Sequence, residues 1–194
     1  MNPISICVYC GSRTGSRAQD VAAARAVGET IGRHGWQLVY GGGRAGLMGA
    51  VADAALAAGA RVVGVIPRSL MDRELGHTGL HELHVVETMH QRKQMMAERS
   101  DAFVALPGGI GTLEEVFEAW TWQQLGYHDK PVGLLNVDGY YDDLLRFLDA
   151  ASAQGFVPPA QRSLLQVGSE VGELLARLGR MAASATEPDD YRRI

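Results

Sequence analysis

Lysine is almost absent: only Lys93 and Lys130 occur among 194 residues, against 16 arginines. Any reaction that requires a lysine amine has just those two candidates. Cysteine is as sparse. Cys7 and Cys10 form a single C-x-x-C, with no second pair to complete a zinc site. They fall on a strand-like run, where residues three apart point to opposite faces, rather than at the helix N-terminus that a redox dithiol needs. No apolar run reaches the roughly 18 residues that suggest a membrane span. The N-terminus carries neither a basic leader nor a small-residue cleavage site. The expected location is therefore the cytoplasm, with both thiols reduced. A positive surplus is missing too. The net charge is −4 and the arginines are scattered, so neither nucleic acid nor a membrane is an expected partner. What remains, 46% hydrophobic and 21% charged residues, is the balance of an ordinary globular domain. A chain of this length can bury roughly 70% of its unfolded surface, so neither metal nor disulfide is needed for stability.

Short apolar runs alternate with longer helical patterns along the chain, the mark of β-α-β units around a mainly parallel sheet. The runs predict seven strands, at residues 4–9, 37–40, 61–66, 83–86, 102–106, 132–136 and 164–167. Helical period and composition fill 18–34, 47–58, 90–100, 112–125, 141–154 and 170–181. The expected fold is a doubly wound α/β sheet with helices on both faces. It forms a single domain over residues 1–181, followed by an aperiodic, mobile tail at 182–194. Ligands of such sheets bind beyond the carboxyl ends of the strands. Here those ends run into Cys10-Gly11-Ser12, Gly41-Gly42-Gly43, Pro67-Arg68-Ser69 and the Gly-rich run from Pro107 to Thr112.

That last run follows a strand and opens a helix, so backbone N–H groups and a helix N-terminus can surround a phosphate. Gly108, Gly109 and Gly111 permit close approach and Thr112 offers a hydroxyl and an amide, unless the glycines merely turn the chain. The run from Gly41 to Gly46 satisfies G-x-G-x-x-G. About 20 residues later, where an acidic ribose partner belongs, stands Ile66-Pro67-Arg68, which removes NAD and leaves only an NADP reading through Arg68. Met89-His90-Gln91-Arg92-Lys93 opens the helix after the fourth strand. Cations are disfavoured at that end of the helix dipole, so Arg92 and Lys93 are read as meeting a phosphate or orienting a carboxylate. Glu115 stands three residues after Thr112, the spacing of a capping box. It is either a cap or a carboxylate facing a sugar or an attacking water. Its neighbour Glu114 is read as a surface residue that complements the dipole. His77, His81 and His84 lie in a loop entering a strand, where such intervals do not converge on a metal, and no metal is expected. Trp120 and Trp122 are expected to pack in the core or in a subunit contact.

Pro-Gly-Gly-Ile-Gly-Thr-Leu-Glu-Glu from Pro107 to Glu115 matches a P-G-G-x-G-T-x-x-E motif, and Met89 to Lys93 matches M-H-x-R-K. With the segments Tyr40 to Gly49 and Lys130 to Tyr141 and the early Cys10-Gly11-Ser12, the chain resembles the Lonely Guy (LOG) family over about residues 4–180. The resemblance implies a Rossmann-like homodimer, with part of each site lent by the partner, that hydrolyses cytokinin riboside 5'-monophosphates, N6-modified AMP, without metal or cofactor. It places the catalytic pair at Arg92 and Glu115. It places substrate contacts at Glu74, Lys93, Gly109, Ile110, Gly111, Thr112, Leu113, Glu114 and Thr121. Glu74 lies in a loop, residues 70–80, of a bacterial-looking variety, where the resemblance carries over less directly than at the other contacts. Gly11, Ser12, Gly42, Gly43, Met89 and Gly108 are candidates for a further phosphate or nucleotide loop.

Members of this family are often labelled lysine decarboxylases. Pyridoxal phosphate chemistry needs a Schiff-base lysine and a partner for the pyridinium nitrogen. Lys93 is committed to the basic motif and Lys130 precedes a proline at a strand entrance, so neither suits that role. Breaking a ribosyl C–N bond instead develops positive charge on the sugar. Glu115 would stabilise that charge and take a proton from water, with Arg92 as an orienting electrostatic partner. A purine nucleotide nucleosidase of broader specificity, an NADP-type oxidoreductase and a nucleotide-binding module without catalysis stay open as alternatives.

Overall fold

Apolar runs buried on both faces make parallel strands, and successive side chains then serve two cores in alternation. The computed structural model describes residues 3–74, 76–185 and 189–191, with Asp72 and Glu74 by backbone alone. Its strands are β1 (Ser5–Tyr9), β2 (Gln37–Tyr40), β3 (Arg61–Pro67), β4 (Glu82–Val86), β5 (Ala102–Ala105), β6 (Val132–Leu135) and β7 (Leu165–Gly168). They form one sheet in the order β4-β3-β2-β1-β5-β6-β7, with every neighbouring pair parallel. The helices are α1 (Ala18–Arg33), α2 (Gly46–Ala57), α3 (Arg68–Glu74), α4 (Met89–Glu98), α5 (Ile110–Gln124), α6 (Asp142–Ala153), α7 (Pro159–Arg162) and α8 (Val171–Ala183). On one face Ile6, Val8, Leu38 and Val104 pack against α1, α2 and α8. On the other, Cys7, Tyr9, Val39 and Phe103 pack against α4 and α5, with Trp120 and Trp122 in that core.

The chain steps outward from β1 to β4, crosses back to β5 beside β1, and steps outward again to β7. Loops leaving β1 and β5 therefore diverge and open a crevice at the strand carboxyl ends. All seven expected strands are present with ends shifted by no more than one residue. Helices α3 and α7 fall where no helix was expected, because seven and four residues are too few to establish a helical period.

The expected tail needs correction. Helix α8 runs on to Ala183, and residues 189–191 are docked rather than loose. Tyr191 packs against the rings of Trp122 and His128, the Asp190 amide donates to the Tyr127 carbonyl (2.9 Å), and Lys130 Nζ lies 2.6 Å from Asp189 Oδ2. Residues 186–188 and 192–194 of that expected tail lie outside the described residues. Among the described residues no helix is long and apolar enough to cross a membrane.

Candidate active site

The turns after β1 and β5 are tied directly together. The Gly11 amide donates to the Pro107 carbonyl (3.1 Å) and the Leu106 amide to the Tyr9 carbonyl (2.9 Å). Above them lies a cavity of about 570 Å³ at the crevice between the two strands. Gly11 and Ser12 line it from β1, Gly108 to Thr112 from the turn into α5, Met89 and Arg92 from α4, and Glu114 and Glu115 from α5. The basic motif and the Gly-rich run, which begins 14 residues after Lys93, thus meet in one place.

Arg92 is fixed from its own helix outward. Thr88 caps α4 in a full capping box with Gln91, which places Arg92 as the fourth helical residue. Its Nε donates to the Val65 carbonyl (3.1 Å) and its Nη2 to the Gly41 carbonyl (2.9 Å). The approach is close enough that a Cβ on Gly41 would sit 2.0 Å from Nη2. Arg92 is 6% exposed, and the two carbonyls offset the cost of burying its guanidinium early in a helix. Its Nη1 lies 3.8 Å from Glu115 Oε1. A buried cation and a buried carboxylate thus sit side by side on the cavity wall.

Glu115 is not a cap. The helix begins at Gly109, with Ile110 as its first residue, so Thr112 is the third helical residue and Glu115 lies on the second turn. The Thr-x-x-Glu spacing could not decide between the two roles because the true N-cap is a glycine, which has no side chain to announce itself. Thr112 instead packs over the turn, and a Cβ on Gly108 would lie 2.1 Å from its Oγ1.

Of the two roles open to Lys93, the structure shows it on carboxylates. Its ammonium pairs with Glu114 and lies 2.9 Å from Glu118 Oε2, and it is absent from the cavity lining. Burial alone pulls its pKa down, but hydrogen bonds to the two carboxylates outweigh that and hold it above the ordinary lysine value. Glu114, read as a surface residue, lines the cavity and holds Lys93 across to α5. Leu113 is half-buried and packs against the core, and Thr121 is exposed with its hydroxyl on the Phe117 carbonyl (2.7 Å); neither lines the cavity. Gly42 and Gly43, candidates for a further phosphate or nucleotide loop, do not line the cavity either. The Gly42 carbonyl accepts the His77 amide (3.0 Å) and Gly43 bridges to Gly76, so both anchor the loop that follows α3. The side chain of Glu74 lies outside the described residues.

Three further readings meet their geometry. Arg68 is exposed and paired with Glu87, away from the cavity, which leaves the NADP reading without its anchor. His77, His81 and His84 diverge to Asp53, the Val62 amide and Glu82 respectively. Cys7 and Cys10 are buried free thiols in opposite cores; burial pushes Cys7 up to about 12 and Cys10 higher still, so neither is a thiolate at neutral pH. The cavity also contains residues to which the motifs assigned no role: Arg13, Thr14 and Asp20 from the β1–α1 segment, and Tyr140 from the loop after β6. Their one sequence signal is position, since each follows a strand's carboxyl end.

The family model described as "Possible lysine decarboxylase" matches residues 48–178. The chain is 50% identical over 177 residues to the cytokinin riboside 5'-monophosphate phosphoribohydrolase LOG3 of Arabidopsis thaliana, covering 91% of this chain and 82% of that one. It is 48% identical over 182 residues to the probable enzyme of that name, LOGL1, of rice, covering 94% and 82%. The chain belongs to the LOG family. Among solved structures, the molybdenum cofactor carrier protein of Chlamydomonas reinhardtii shares the fold at a TM-score of 0.72 and 24% identity, over 94% of this chain and 99% of that one. The decarboxylase wording attached to the LOG family model finds no lysine to act through here. Lys93 is held by Glu114 and Glu118, and Lys130 by the Ala97 carbonyl and Asp189, both off the cavity.

Proposed function

We propose that this LOG-family chain hydrolyses the N-glycosidic bond of cytokinin riboside 5'-monophosphates, N6-substituted AMP, releasing the free base and ribose 5-phosphate. One observation carries the reading. A Cβ added to Gly109 or Gly111 would meet nothing within 4 Å, and neither residue has a positive φ, so the fold itself does not require glycine at either position. Both line the cavity at the start of α5. Gly109 suits its N-cap position, but Gly111 inside the first turn costs up to about 1 kcal/mol relative to alanine, and close approach by a ligand accounts for it. The amides of Ile110, Gly111 and Thr112 belong to the first helical turn and have no partner within their own helix, which suits them to a phosphate. Glu115 lies five residues beyond Ile110, about 7.5 Å further along the axis. That is the scale of the span from a 5'-phosphate to the anomeric carbon of the same nucleotide.

With the phosphate so placed, the C1'–N9 bond breaks with its electron pair leaving on the purine, which takes up a proton from solvent, and water oxygen bonds to C1'. Glu115 stabilises the oxocarbenium-like sugar and accepts the proton of that water. Arg92, fixed by the Val65 and Gly41 carbonyls, orients the carboxylate and contributes charge rather than a proton.

Gly111→Ala tests this reading. The variant is expected to keep or gain stability, by up to about 1 kcal/mol. Its kcat/KM for an N6-substituted AMP should fall by roughly 5- to 150-fold, the equivalent of about 1–3 kcal/mol for overpacking a fitted space. A Gly111→Ala enzyme as active as the parent means that nothing approaches the turn closely. A cytoplasmic homodimer with part of each site supplied by the partner completes the proposal, on the strength of the family relationship. Sedimentation velocity should show a species of twice the chain mass, and a fully active monomer would rule the dimer out.

A further inference from the structure

The Gly-rich turn is soft by composition. Gly108, Gly109 and Gly111 place three glycines in four residues, none of which restricts the backbone by its own side chain. Yet anion recognition by backbone amides requires their directions to be fixed before the ligand arrives. Thr112 packs over Gly108 from the helix side, and something must hold the carbonyl side of the turn as well.

Two consecutive tyrosines do so from the loop after β6. Tyr141 Oη donates to the Leu106 carbonyl (2.6 Å) and Tyr140 Oη donates to the Gly108 carbonyl (2.5 Å), on either side of Pro107. Tyr141 is fully buried and holds the strand end, whereas Tyr140 is 42% exposed and lines the cavity. A trans peptide is planar, so a carbonyl fixed at Gly108 also fixes the direction of the Gly109 N–H on the opposite side of the same unit.

Tyr140 is itself held. Its ring meets Tyr141 edge-on at 4.9 Å and lies under the Arg17 guanidinium at 5.5 Å. Arg17 is locked on Asp20 (2.7 Å) and donates to the Val137 carbonyl (3.2 Å). Gln19 donates to Asp138 Oδ2 (3.1 Å), and Asp138 is the one non-glycine among the described residues with a positive φ, 47°. Loops after β1, β5 and β6 are thereby clamped at one corner of the cavity, with the Tyr140 hydroxyl as the group that reaches the phosphate turn.

We infer that Tyr140 is a positioning residue for phosphate recognition, acting through the Gly108 carbonyl to hold the turn's amides in register for a 5'-phosphate. This rests on the proposed hydrolase reading for its substrate, but not for its test. Tyr140→Phe keeps the ring and its contact with Arg17 and removes only the hydroxyl. It is expected to raise KM for the nucleoside monophosphate, and the Kd for ribose 5-phosphate measured by calorimetry, by about tenfold. That is about 1.4 kcal/mol, the upper end of one neutral hydrogen bond. kcat should stay within about twofold and Tm should not move, because the lost bond lies at an exposed turn. Unchanged KM and Kd would overturn the inference, as would a joint fall in Tm and kcat at constant KM, the pattern of a merely structural group. A parent enzyme that binds ribose 5-phosphate but releases no base would defeat the hydrolase reading alone, since the calorimetric comparison still reads Tyr140. A parent with no affinity for ribose 5-phosphate would overturn both.

Discussion

Glu115→Gln is expected to lower kcat by about 100-fold or more, the scale of losing one general base, while the monophosphate still binds. The substitution preserves size and shape at a position that is 9% exposed on the second turn of α5. Gly109, not Glu115, opens that helix, so glutamine leaves the helix start intact. What it removes is charge. An amide cannot offset a developing ribosyl cation and cannot take a proton from water. Removing one negative charge beside Arg92 also makes the cavity less repulsive to a phosphate, so Kd for the monophosphate should hold or tighten. Single-turnover rates and calorimetry separate the two effects. An active Glu115→Gln enzyme would move the catalytic carboxylate elsewhere; of the described cavity carboxylates, Glu114 is committed to Lys93 and Asp20 to Arg17.

Much of this site was legible before any coordinates, for reasons that differ by residue. The strands show as Val-, Ile- and Leu-rich runs because both faces of the sheet are covered, and their carboxyl ends point to the loops that matter. Arg92 could be singled out because a cation early in a helix has a local cost, and the structure supplies the Val65 and Gly41 carbonyls that offset it. Lys93 could not be placed in the same way. Its partners Glu114 and Glu118 lie on another helix, and no local rule joins them to it. Of the two roles open to Glu115, the cap is the one the helix start excludes. Thr88 and Gln91 form the real box while Thr112 and Glu115 only have its spacing, since the pattern shows what a side chain can reach and not where the helix starts. Tyr191 was invisible for a related reason. An aperiodic segment gives no sign that one ring will dock between Trp122 and His128.

On the proposed reading the 5'-phosphate is what most of this cavity serves: a helix start with its glycines open to ligand, a neighbouring turn at Gly11 and Ser12, and Arg92 at its wall. Charge-assisted hydrogen bonds contribute about 1.5–3 kcal/mol each. Two of them realised in the transition state amount to about 3–6 kcal/mol, or at least 100-fold in kcat/KM. An uncharged riboside forgoes them all and still meets the carboxylates of Glu114 and Glu115. The decisive measurement is chromatography of products from an N6-substituted AMP and its riboside in parallel, with no cofactor added. Equal amounts of free base and ribose 5-phosphate should appear from the monophosphate, with kcat/KM at least about 100-fold above that of the riboside. Comparable turnover of the two, or no base released from the monophosphate, would contradict the assignment of this cavity to phosphoribosyl hydrolysis.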